Sequence, residues 1–129
     1  MNPASALSQY QQVDVQTSIV DARPHKLIEM LYRGVLDKLA TAKGFMSRKE
    51  LSKQGENISK AIRIIDTLRA SLDHKQGGQI ATNLQALYDY MERRLTKANM
   101  DSDVEIVDEV ISLVEKIASG WDAIPEEYR

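Results

Sequence analysis

Apolar positions recur along most of the chain with the period of an α-helix. The clearest case lies between Gly77 and Asn99. Ile80, Leu84, Leu87, Tyr88, Met91, Leu95 and Ala98 fall within about 100° of one another when placed at 100° per residue. Gln79, Gln85, Asp89, Glu92, Arg93 and Thr96 lie off this stripe. The pattern predicts a long amphipathic helix, and Gly77-Gly78 reads as the breaker before it. Such a helix must bury its stripe, so the rest of the chain has to supply partners.

Three other segments do. Pro24 suits the first position of a helix, where its missing N–H costs nothing. Leu27, Ile28, Leu31, Tyr32, Val35, Leu39 and Ala42 then form a stripe ending near Lys43, with Gly44 placed to stop the helix. Ser47 and Glu50 have the S-x-x-E spacing of a capping box ahead of a second helix carrying Leu51, Ile58, Ala61, Ile62, Ile65, Leu68 and Leu72. The polar DHKQGG at 73–78 reads as the turn into the third helix. Ser102 and Glu105 make a second capping box, opening a fourth helix that ends near Gly120, with Pro125 barring continuation.

Four helices joined by short turns predict an all-α, antiparallel up-down four-helix bundle, because short connections make neighbours run in opposite directions. The expected organisation is an N-terminal arm or short helix over 1–20, the bundle over 21–124 and a loose tail over 125–129. In the arm, Leu7, Tyr10 and Val13 share one helical face, but isolated helices below ~12–15 residues are marginal in water. Either the arm docks on the bundle or it is a disordered tail.

Composition narrows the function classes. The 129 residues suit a single domain, and the absence of cysteine rules out a disulfide scaffold and thiolate metal sites. Neither a basic, apolar N-terminal leader nor a run of ~18 uncharged apolar residues is present, so a soluble, cytoplasmic protein without membrane insertion is expected. With 17 basic and 19 acidic residues intermixed, net charge −2, nucleic acid is not an expected partner.

Candidate chemistry is sparse. A di-iron bundle needs Glu-x-x-His pairs, yet Ala22 and Ser71 stand three positions before His25 and His74. Both histidines are expected as solvated residues at helix ends. Gly77-Gly78 lacks the surroundings of a phosphate loop, and no nucleophile is spaced with a base. No catalytic residue, cofactor or metal is expected.

The fourth helix is more informative. Val107, Ile111, Val114, Ala118 and Trp121 form one stripe, and Ile106, Val110, Leu113 and Ile117 form another beside it. Together they cover about 180°, against the ~100° that one core needs. Either the helix is sunk deep in the bundle, or the second stripe lines an outer groove. Ile64, beyond the main stripe of the second helix, is a similar candidate. An apolar groove on a soluble protein suits a partner segment.

The segments QYQQVDVQTS around Tyr10, PHKLIEMLYRG from Pro24, SKAIRIIDTLRASLD from Ser59, GGQIATNLQALYDYMERRLTKAN from Gly77 and DEVISLVEKIASGW from Asp108 stand in the order found in a known family. The chain resembles the flagellar secretion chaperone family FliS over nearly its whole length. One departure is DARP at 21–24, where the family commonly has a small hydroxyl residue before the proline. Here Arg23 holds the cap position, leaving the cap to Asp21 or water.

The resemblance implies a bundle without catalytic activity that binds the disordered C-terminal segment of flagellin in apolar grooves. This would prevent premature polymerisation and aid export through the flagellar type III secretion route. Leu7 and Tyr10 match apolar points of an arm that covers part of that surface and moves when the client arrives. The partner-binding set is then Leu7, Tyr10, Ile64, Ile106, Val110, Leu113 and Ile117, with a flagellar export-gate component as a further partner and a monomer or weak homodimer as the assembly. Two other readings stay open: a bundle that dimerises through its wide fourth helix, and a small helical enzyme with charged residues facing inward.

Overall fold

The computed structural model describes residues 24–128 and consists of four long helices: α1 (Pro24–Ser47), α2 (Leu51–Ala70), α3 (His74–Asp101) and α4 (Val104–Asp122), followed by a 3₁₀ turn at Glu126–Tyr128. Leu7, Tyr10 and the rest of the expected arm lie outside the described residues. The packed neighbours are α1 with α2 and α4, and α3 with α2 and α4. This is the expected up-down bundle, with α1 across from α3 and α2 across from α4.

The stripes meet as their periodicity requires. Leu31, Val35 and Leu39 of α1, Ile58 and Ile65 of α2, Met91 and Leu95 of α3, and Val107 and Val110 of α4 are all buried in one cluster. Two stripe members depart from expectation. Leu51 is 65% exposed because it opens α2 at the end of the bundle, and Ile80 is 72% exposed. Ala81 takes the inward place instead, covered by the turn at Gly77, where an added Cβ would come within 3.0 Å of the Ala81 Cβ.

The helix ends differ from the sequence reading for a common reason. Neither S-x-x-E pattern forms a capping box, because each serine is consumed by the helix before it. α1 runs past Gly44 to Ser47, whose Oγ donates to the Gly44 carbonyl at 2.8 Å. Lys49 then takes a left-handed conformation (φ 58°), with Lys49 N–H to Met46 O at 3.1 Å and Glu50 N–H to Phe45 O at 3.0 Å, the paired bonds of a Schellman stop. Glu50 stands at the N-cap of α2 without a side-chain cap bond. Ser102 likewise ends α3 in the left-handed region (φ 49°), and Asp103 caps α4 by accepting from Glu105 N–H at 3.0 Å and Ile106 N–H at 3.4 Å. α3 begins before the diglycine, at His74, with Asp73 accepting from Lys75 and Gln76 N–H. Gly77-Gly78 is therefore a kink within α3: Gly78 has φ 50° and ψ −124°, backbone that residues with a Cβ avoid.

Several polar side chains inside the bundle are paired. Gln54, 1% exposed, donates to Asn99 Oδ1 at 3.0 Å and ties α2 to the end of α3. Across the core, the Tyr32 and Tyr88 hydroxyls meet at 2.9 Å. Burial pushes both phenols up, so the pair stays neutral. The expectation of two solvated histidines holds only for His74. His25 is 7% exposed, its ring stacked on Trp121 at 4.8 Å. Its Nε2 lies 2.7 Å from the Trp121 carbonyl, while Trp121 Nε1–H donates to the His25 carbonyl at 2.8 Å. This clasp joins the first turn of α1 to the last of α4, two segments 96 residues apart.

The tyrosine pair gives a first test. Tyr32→Phe or Tyr88→Phe alone strands a buried hydroxyl and should cost about 1–3 kcal/mol, while the double substitution should cost less than the sum of the two. Urea denaturation of the four proteins measures this coupling.

Candidate functional site

The two stripes of α4 do different things along its length. Ile106 (5% exposed), Val107, Val110 and Val114 are buried in the common core. Beyond Val114 no side chain of α4 is fully buried, and Leu113 and Ile117 keep half-exposed edges against the core. The expected groove residues therefore separate: Ile106 and Val110 lie beneath the surface, Leu113 and Ile117 at it. Ile64, 4% exposed, is a core residue of α2, across the bundle from α4.

The side chains of α4 fix which neighbour this edge faces. Asp108 pairs with Lys43 of α1 at 2.6 Å, whereas Glu109 accepts from Tyr90 Oη at 2.7 Å and from Arg94 Nε at 2.9 Å on α3. Those two hydrogen bonds hold the Glu109 carboxyl below its ordinary value, and the one to Glu109 raises the Tyr90 phenol. At 100° per residue, Leu113 and Ile117 lie within about 80° of Glu109, and Leu87 and Ile80 within about 80° of Tyr90. Following the antiparallel register away from the Glu109–Tyr90 contact brings Leu113 level with Leu87, and Ile117 between Leu84 and Ile80.

The half of the α3–α4 seam nearer the α2–α3 turn is thus an apolar strip formed by Leu113 and Ile117 on one side and Leu84, Leu87 and Ile80 on the other. Leu84 and Leu87 are half-buried. The stripe pattern alone assigned all three α3 residues to the core. The diglycine marks where they separate: α3 is kinked at Gly78, and just beyond it Ala81 is buried while Ile80 is exposed.

Charged side chains do not gather inside the bundle. Arg69 contacts Asp66, Asp89 and Glu92, but at the α2–α3 seam, with its own side chain 34% exposed. The guanidinium fills the space between the carboxylates, and among the described residues no cluster is suited to hold a metal ion. No described helix is long and apolar enough to cross a membrane.

Comparison with known proteins identifies the fold's relatives. The model of the family described as "Flagellar protein FliS" matches residues 6–128. The chain belongs to the FliS family. It is 45% identical over 124 residues to the flagellar secretion chaperone FliSB of Pseudomonas aeruginosa, covering 96% of this chain and 98% of the relative. It is 46% identical over 125 residues to FliS of Salmonella typhimurium, covering 96% and 93%. FliS of Bacillus subtilis is 33% identical over 129 residues, covering 99% and 90%. These relatives are named flagellar secretion chaperones, so FliS is a family of chaperones of flagellar export and not of enzymes.

The division of α4 into buried and half-exposed parts is open to direct test. Ile106→Lys or Val110→Lys buries an unpaired ammonium and should lower stability by about 4 kcal/mol or more, whereas Leu113→Lys, whose stem can reach water, should stay within about 1 kcal/mol of the parent. Chemical denaturation of the three variants checks the contrast.

Proposed function

We propose that this protein is a cytoplasmic flagellar export chaperone that binds the disordered C-terminal segment of flagellin along the α3–α4 strip. The reading carries the family's chaperone role to one surface. The observation behind it is the half-buried strip of Leu113, Ile117, Leu84 and Leu87, extended by the 72%-exposed Ile80. An amphipathic client segment laid there supplies the apolar face that the bundle lacks. Ile106 and Val110 support the strip from beneath, and Ile64 has no part in it. An export-gate component is a further partner of the loaded complex.

The energetics suit a holding function without nucleotide. Ordering a disordered segment costs ~2–5 kcal/mol or more, while each fully buried large aliphatic side chain returns ~1.5–3 kcal/mol. A few anchors exceed the cost, and covering them hides the client's self-associating surface. Leu7 and Tyr10 belong to the same proposal as apolar points of the N-terminal segment that contact the bound client.

Calorimetric titration with flagellin's C-terminal segment tests this reading. Leu113→Lys and Ile117→Lys should each weaken binding at least ~10-fold, about 1.4 kcal/mol, with circular dichroism unchanged. Parent-like binding by both folded variants would contradict it. Light scattering distinguishes a strip that instead pairs two copies of the chain. Deleting residues 1–18 should leave unfolding cooperative, since all four stripes lie beyond them, and should weaken client binding.

A further inference from the structure

The α2–α3 seam carries more negative charge than its one cation can balance. Arg69 of α2 donates through Nη2 to Asp66 on its own helix and through Nη1 to Asp89 on α3. Glu92, one turn beyond Asp89, places Oε2 2.8 Å from the same Nη1. That oxygen is shut off from solvent and accepts no hydrogen bond, although it lies beside the guanidinium. The Glu92 side chain as a whole is 18% exposed. A buried carboxylate oxygen with no donor is costly, and the cost vanishes when the oxygen carries a proton that it can donate to a neighbouring carboxylate.

We propose that Glu92 holds a proton among Arg69, Asp66 and Asp89, and that its release loosens the α2–α3 seam. With the proton held, the four side chains carry a net charge of −1; without it they carry −2. The charged contact of α4 with α3, Glu109 with Arg94 and Tyr90, is a separate set on the other side of α3. Burial, with the neighbouring carboxylates of Asp66 and Asp89 outweighing Arg69, pushes the Glu92 carboxyl up to about 7. The folded chain therefore binds this proton more tightly than the unfolded chain. The stability it confers is complete below the ordinary carboxylate range and is lost as pH rises through about 7. The seam is firm on the acid side of neutrality and loose on the alkaline side. This device is independent of what the α3–α4 strip binds.

Two measurements on the full chain test it. In carbon-detected NMR of the unmodified protein, the Glu92 carboxyl carbon should titrate near neutrality, and Asp66→Asn, which removes a neighbouring negative charge, should move that titration towards the ordinary carboxylate range. In urea denaturation between pH 5.5 and 8.5, the midpoint of the parent should fall relative to that of Glu92→Gln, which keeps a donor without a titrating proton. Every other titrating group is common to the two proteins, so their difference isolates Glu92. Titration of Glu92 in the ordinary range, or parallel midpoints for the two proteins, overturns the proposal.

Discussion

Four apolar stripes of unequal length have to be buried against one another, and the rest of the structure follows from where they run out. In the half nearer the α1–α2 and α3–α4 turns the core is closed within the helix ends: Leu39, Ile58, Leu95 and Val107 are each at most 1% exposed. In the other half, α3 is broken at Gly78 and its stripe turns away from the core. α4 continues past Val114 with apolar residues that have core on one side only. The α1–α4 seam is closed at this end by the His25–Trp121 clasp, while the α3–α4 seam is closed only further up, by Glu109 with Tyr90 and Arg94. An apolar strip at this position is the consequence of a bundle that ends before its helices do.

Helix number, order and direction were legible in the sequence because they depend on long-range periodicity, which a hydrophobic stripe records over many residues. Helix ends were not, because they depend on competition between adjacent residues for a few backbone groups. At Ser47 and Ser102 a serine in a cap pattern was taken up by the preceding helix, since α1 ran past Gly44 and α3 past Asn99 before left-handed backbone at Lys49 and Ser102 stopped them. Asp103 then offered a carboxylate one residue closer to α4.

The surface strip was legible in part. A stripe of about 180° on α4 showed that one core could not absorb it all, but not which end stayed outside. That depended on α3, where just past the kink Ile80 is exposed and Ala81 buried. His25 was misplaced for a related reason: a histidine at a helix start looks solvated until the partner 96 residues away supplies a ring and a carbonyl. Contacts of that separation leave no periodic trace.

The central claim is that the open half of the α3–α4 seam is where the client lies. Methyl-detected NMR during titration with flagellin's C-terminal segment tests it most directly, because it reports all apolar surfaces at once. The account predicts the largest shifts at the methyls of Leu113, Ile117, Leu84, Leu87 and Ile80, with Ile58 and Ile65 of the α2 core little changed. Large shifts on the outer faces of α1 and α2, with the strip unmoved in the saturated complex, would contradict it.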